Sequence, residues 1–248
     1  MRIGHASIDE HNRAKGGVTG DQTGKEVCIR AYYDKNWNVI LRPKDKTLAN
    51  RSAVACEAMC GNPHIGYDQN ERNTLLIYLN QLDWNYRDIM QNTECDCSSF
   101  MTACAICGGA KISWKGNAPT TSTMAARFKE SGSYDVLQFV SPKHNQLKRG
   151  DILVKEGNHT VMVLDDYVIN TTTNTTTMSP SNMPTLRKGD RSDWVIIAQG
   201  RLVVAGYPLD VDGIFGQKTY ETVKQFQLDN HLTVDGIIGP KTWAALYK

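Results

Sequence analysis

The spacing of apolar residues changes at about residue 147, and this change limits the fold more than any other feature of the chain. Before it, Leu75, Leu76, Leu79 and Leu82 recur at i, i+1, i+4 and i+7, and Phe100, Cys104 and Cys107 at i, i+4 and i+7, as on one face of a helix. After it, Ile152-Leu153-Val154, Val161-Met162-Val163-Leu164 and Tyr167-Val168-Ile169 read as strands, with Asp165-Asp166 as a tight turn between the last two. Helices followed by antiparallel strands predict an α+β domain.

Residues 46–60 also read as a helix, stopped at Gly61-Asn62-Pro63 because proline excludes helical geometry from its predecessor. A second helix follows Asp68. A third begins at Cys97 to Ser99, where Asp and Ser supply N-caps, and ends at Gly108-Gly109. Residues 1–45 are Gly-rich and irregular, strand-like only at Val27-Cys28-Ile29 and Trp37-Asn38-Val39-Ile40-Leu41. Within them, Gly20 to Glu26 approximates a phosphate loop, but the first glycine is displaced and Glu26 stands where a hydroxyl would take magnesium, so the motif is rejected. Trp194-Val195-Ile196-Ile197-Ala198 is apolar enough to add one more strand to the sheet, which puts a domain boundary near residue 202 and makes Thr171 to Thr177 exposed strand or loop.

An internal repeat follows. Val211-Asp212-Gly213-Ile214-Phe215-Gly216-Gln217-Lys218-Thr219 returns 23 residues later as Val234-Asp235-Gly236-Ile237-Ile238-Gly239-Pro240-Lys241-Thr242. Each copy is a glycine-turned loop entering a helix, the first with Tyr220, Val223 and Phe226, the second with Trp243 and Leu246. A fragment of about 45 residues is marginally stable alone.

Composition narrows the function. Hydrophobic residues at 40% and charged residues at 22% are the balance of a soluble globular protein, and a net charge of +2 gives no footprint for nucleic acid. Met1 to Glu10 lacks the apolar core of a signal peptide and no window is long enough to span a bilayer, so a cytosolic chain without membrane insertion is expected. All seven cysteines fall in the first 107 residues of a chain large enough to bury a core, and they read as reduced thiols. A monomer is expected.

Cys97 stands at the positive end of the third helix, which stabilises a thiolate by at most about 2 kcal/mol and moves a thiol pKa by only about one. A cationic partner must do the rest. Among six histidines, His159 opens a strand after a Gly-Asn turn and heads a face shared with Val161 and Val163. With Asp165-Asp166 at the hairpin tip, Val161 faces Asn170, so Asn170 is a diagonal neighbour able to orient the His159 ring, with Thr172 directly opposite as its rival. Two blander readings compete: Cys97 as a core residue, and zinc on Cys95, Cys97, Cys104 and Cys107, whose Cys-x-Cys spacing is tighter than structural zinc uses. Arg149-Gly150-Asp151 reads as a strand entry. No metal and no cofactor are expected.

Asp96-Cys97-Ser98-Ser99, the Leu147 to Leu153 run and His159-Thr160-Val161-Met162-Val163 resemble the Asp-Cys-Ser-Gly, Leu-x-x-Gly-Asp-Leu and His-Val-Gly-Ile blocks of the NlpC-type papain-like cysteine peptidases that cut bacterial wall peptides. In that family a third polar residue follows the base by about a dozen positions, as Asn170 follows His159 here. Ser99 replaces the usual glycine, and Gly66-Tyr67-Asp68 stands in for an absent Tyr-x-Trp-Gly-Gly block. The tail is similar to the peptidoglycan-binding module built from Asp-Gly-x-x-Gly-x-x-Thr repeats, with Arg201 to Gly206 as only a stub of the module's first helix. Residues 1–45 resemble only the leading segments of some phage and clostridial lysins.

These resemblances imply a papain-like catalytic domain over residues 1–202 and a small all-α wall-binding module over 203–248. They imply a phage-type endolysin held in the cytoplasm until a holin opens the membrane, with peptidoglycan as its partner. Cys97 would be the nucleophile, His159 the base and Asn170 the orienting residue, with Tyr67, Asp96 and Ser98 at the substrate. Asp212, Phe215, Thr219, Tyr220, Asp235, Thr242 and Trp243 would meet the wall polymer. The D-γ-glutamyl to diamino acid bond is favoured. An N-acetylmuramoyl-L-alanine amidase with the same dyad and a non-catalytic wall binder stay open.

Overall fold

A computed structural model describes residues 1–166 and 183–247. Contacts divide the chain into two units, Met1–Val168 and Ile169–Lys248. In the first unit β1 (Arg2–Ala6), β2 (Val27–Ala31) and β3 (Val39–Pro43) precede α1 (Lys46–Met59). Then come β4 (Ile65–Tyr67), α2 (Thr74–Gln81), β5 (Thr93–Cys95) and α3 (Cys97–Cys107). Finally α4 (Met124–Glu130), β6 (Tyr134–Gln138), the short α5 (Pro142–Asn145), β7 (Ile152–Lys155) and β8 (His159–Val163) follow.

Six strands form one antiparallel sheet in the order β2-β1-β8-β7-β3-β6, while β4 and β5 make a separate parallel pair. Alternation along each strand splits the core in two. Leu41, Ile152, Val154 and Met162 pack with Cys56 and Met59 of α1 and Phe100, Met101 and Cys104 of α3. On the other face Ile3, Ile40, Leu153, Val161 and Val163 close over Trp37 and Leu147.

Residues 1–45, expected to be irregular, therefore contribute three of the six strands, and strands bracket the helices rather than follow them. The five residues of β1 include a glycine and are too few to display a period. Helices α1, α2 and α3 and strands β7 and β8 lie where the apolar spacing predicts them. The seven cysteines are free thiols.

Arg149-Gly150-Asp151 is structural. Arg149 Nη2 lies 2.8 Å from Glu57 Oε2, and Arg42 Nη2 lies 2.7 Å from Asp151 Oδ2; both carboxylates are buried. Gly150 has φ +88°, and a Cβ there would overlap Ala49. Arg42→Ala would leave the Asp151 carboxylate buried without its cation, at a cost of about 3–5 kcal/mol. Calorimetry should show the melting temperature of this unit falling by roughly 10 °C.

The second unit holds α6 (Asp193–Val204), α7 (Gln217–Asp229) and α8 (Pro240–Leu246). The strand expected at Trp194 to Ala198 is the first half of α6, whose N-cap Ser192 accepts from Val195 N–H at 3.3 Å. A short apolar run does not distinguish a strand from a buried helix, and here the cap decides. The boundary expected near residue 202 falls inside this helix, and the module's first helix is not a stub but 12 residues long. Tyr167-Val168-Ile169, Asn170, Thr172 and the threonine run lie outside the described residues.

A glutamine braces each repeat. Gln199 Nε2 donates to Asp212 Oδ1 (2.8 Å), the Ile214 carbonyl (3.1 Å) and Thr219 Oγ1 (3.0 Å), while its Oε1 accepts from Gly213 N–H (2.9 Å). Gln227 does the same with Asp235 (2.8 Å), Ile237 (2.9 Å), Thr242 (3.1 Å) and Gly236 (2.8 Å). The Asp-Gly-x-x-Gly-x-x-Thr spacing thus places loop and helix groups around one buried amide.

Candidate active site

Asp96 starts α3. Its Oδ1 accepts from Ser99 N–H at 2.7 Å, and Ser99 Oγ returns by accepting from Asp96 N–H at 2.8 Å, a reciprocal capping box. Cys97 is the first helical residue, where backbone N–H groups point outward and the helix end is positive. The backbone N–H groups of Ser98 and Thr160 lie close enough to its sulfur to favour the thiolate. Thr160 follows His159 on β8, so the thiol lies against the strand that carries the imidazole. The β7–β8 turn that sets His159 at the strand start passes through Gly157 at φ +71°.

Three aromatic residues from the first 45 surround His159. Tyr33 Oη lies 2.9 Å from His159 Nε2, the Trp37 ring stacks on the imidazole at 6.1 Å between centroids, and His5 meets it edge-on at 5.7 Å. Trp37 Nε1 donates to the Tyr33 carbonyl at 3.2 Å and fixes the loop. His159, Tyr33, His5 and Tyr67 open on one cleft of about 370 Å³. Tyr67, on β4, donates its backbone N–H to Glu26 Oε2 at 3.0 Å, and its phenol pKa is pushed up by burial and by the nearby Cys97.

Asp96 and Ser98 are placed otherwise than the substrate role implies. Arg72 Nε donates to Asp96 Oδ2 at 2.7 Å and Arg72 Nη2 to Ser98 Oγ at 2.9 Å, while the guanidinium also holds the Ala118 and Pro119 carbonyls. Both side chains are buried and serve to anchor the α3 start. Asn170, the expected orienting residue, lies outside the described residues; the group seen on His159 Nε2 is Tyr33. Nothing in the local sequence around Tyr33, His5 or Arg72 marks them, since each reaches the site by long-range pairing.

Burial dominates the protonation of the pair. It pushes the Cys97 thiol up from 9.0 to about 12, with Asp96 adding to the rise, and pushes the His159 imidazole down from 6.5 to about 3, with His5 and Lys35 adding to the fall. At both groups burial opposes the helix contribution and favours the neutral thiol and the neutral imidazole over the expected ion pair. His5 is lowered to about 4 by burial and then by Arg30. Unfolded histidines take a proton below about 6.5, which these two resist until about 3 and about 4. Their contribution to stability is therefore present above pH 6.5 and is lost as pH falls through that window. His159→Gln should shrink the drop in urea midpoint between pH 7 and pH 4 relative to the wild type; an unchanged drop would contradict a neutral buried ring.

No three cysteines converge as a metal site among the described residues, where the one ligand-like group is Asp9, Glu10 and His11 on the loop after β1. In the second unit the residues expected on the wall polymer are mostly internal. Phe215 and Trp243 are 0% exposed, and Asp212, Thr219, Asp235 and Thr242 are bonded to the bracing glutamines. Tyr220 is half-buried, with Lys224 Nζ 5.7 Å from its ring centroid. Asp212, Thr219, Asp235 and Thr242 thus brace the loops, while Asp212 and Asp235 also keep exposed surface.

Residues 191–246 match the peptidoglycan binding domain family. Among solved structures, a Burkholderia AP3 phage endolysin shows 48% identity over 25% of this chain and 24% of its own, with a TM-score of 0.25. The N-terminal domain of SleB shows 38% identity over 26% of this chain and 90% of its own, with a TM-score of 0.26. A peptidoglycan-binding protein from Clostridioides difficile, in complex with glutamine hydroxamate, shows 26% identity over 47% of this chain and 61% of its own, with a TM-score of 0.26. This chain spans about a quarter of the length of the first of these. Residues 3–169, most of the chain and nearly the whole of its first unit, match the endolysin-like domain, and the chain belongs to that family.

Proposed function

We propose that this chain is a peptidoglycan hydrolase that cuts an amide of the wall stem peptide through a Cys97–His159 dyad. The observation that carries this reading is Cys97 at a capped helix start, on a helix packed against the strand that opens with His159. Cys97 Sγ attacks the carbonyl carbon as its proton passes to His159, and the oxyanion forms beside the Cys97 backbone N–H. With Nε2 held by Tyr33, Nδ1 is the nitrogen left to take that proton. His159 then protonates the departing amine. A water, deprotonated by the same ring, attacks the thioester, releasing the acid and restoring the thiol.

Burial favours the neutral thiol and imidazole, so proton transfer accompanies attack rather than preceding it. The papain-like assignment rests on this same constellation. Among the described residues no helix is long and apolar enough to cross a membrane, in keeping with release into the wall space after lysis begins. The matched binding domain supports peptidoglycan as the partner, holding the hydrolase at its insoluble substrate and raising the effective concentration.

The bond is the D-γ-glutamyl to diamino acid amide. Mass spectrometry of digested walls with labelled new amines should find an α-amine on the diamino acid. A new L-alanine N-terminus would assign the amidase instead, and new reducing sugar ends would refute a thiol mechanism, since sugar cleavage calls for paired carboxylates.

A further inference from the structure

The cleft beside His159 has a one-sided charge. Arg30 and Lys35 line it, no acidic residue does, and His5 and His159 face them as neutral rings. Among the described residues neither cation is paired with a carboxylate, although Arg42, Arg72 and Arg149 in the same unit each are. Arg30 is also pre-placed. Its guanidinium carbon lies 5.3 Å from the Tyr33 ring centroid and its Nη1 3.5 Å from His5 Nε2, so it stands beside the two residues that contact His159. A guanidinium stacked on an aromatic ring loses little freedom when it takes a two-oxygen acceptor.

We propose that Arg30, assisted by Lys35, holds a free carboxylate of the substrate close to the scissile amide, so that the chain selects acidic stem peptides over their carboxamide forms. This rests on the hydrolase reading for the identity of the ligand. D-isoglutamate carries a free α-carboxylate when unmodified, as a diaminopimelate-type diamino acid does on its side chain, and each carries an uncharged group when amidated. The cleft geometry matches that chemical difference: a cationic wall within one side chain of the proposed base, with no acid to repel or replace the ligand.

The test uses full-length Cys97→Ala protein, which cannot consume ligand by the proposed route, and soluble muropeptides in pairs that differ by one carboxamide, at the isoglutamate or at the diamino acid. Calorimetry at low salt should show one acid form binding about tenfold more tightly than its amide twin. Adding Arg30→Gln should bring that ratio to within about twofold, Lys35→Gln should reduce it less, and Arg30→Lys should keep part of it. The pair that shows the preference locates the carboxylate. Equal affinities within both pairs, or a preference that survives Arg30→Gln, would overturn the proposal. Wild-type protein that leaves every muropeptide uncut would count against the hydrolase reading and still leave these affinity ratios to decide the role of Arg30.

Discussion

Cys97→Ala is expected to lower hydrolysis of purified cell walls by about 10³-fold or more while leaving wall binding at the wild-type level, because the substitution removes only the attacking sulfur. The contrast with the other thiols gives the experiment its force. Cys95 and Cys104 are fully buried, and Cys104 packs with Cys56 in the core beneath the sheet. Cys104→Ala should cost about 1 kcal/mol of stability through lost packing and should retain most activity. Wall turbidity and soluble-muropeptide assays run side by side would expose a failure: a Cys97→Ala protein that still clears walls would remove the thiol mechanism altogether.

The second large effect lies in the repeats. Gln227→Ala should unfold the C-terminal module, because one truncation removes four bonds and leaves Gly236 N–H without its acceptor, while Asp235 Oδ1 keeps only Ile237 N–H and Thr242 Oγ1 and the Ile237 carbonyl keep only each other. Gln227 is 1% exposed, so water does not replace it without rearrangement. Each lost bond costs roughly 0.5–1.5 kcal/mol and the unmet buried N–H roughly 1–3 kcal/mol, a total of about 3–5 kcal/mol that is comparable with the whole stability of a module this small. Circular dichroism and pull-down on insoluble peptidoglycan should show lost helix and lost binding while muropeptide cleavage persists. Normal wall binding by a folded Gln227→Ala protein would mean that the amide is not the brace its bonds indicate.

What the sequence made legible was local. Asp96 and Ser99 announce a helix start within four residues, and His159 follows a Gly-Asn turn, so the thiol and the imidazole could be placed before any coordinates. Tyr33, His5 and Trp37 could not. They reach His159 only because β1 pairs with β8 in the register Ile3 with Val163, and no short window contains that pairing. Arg72 was hidden for a related reason: its partners come from residues 96–98 and 117–119, on two other segments. The repeat residues have a double meaning. Asp, Gly and Thr at fixed spacing suit both ligand contact and loop bracing, and only the positions of Gln199 and Gln227 decide for bracing.

Strand β1 lies between β2, which is close in sequence, and β8, which is made some hundred and sixty residues later, Ile3 meeting Val163. During synthesis at about 5–20 residues per second, its second edge stays open for on the order of ten seconds. Contacts this distant along the chain also slow folding, since the loop must close before the pairing stabilises it. The strand that carries His159 is the one that closes the gap. A truncated or nascent chain lacking β8 therefore has Cys97 but neither His159 nor a completed sheet, and the proposed dyad cannot assemble until the first unit is almost entirely made.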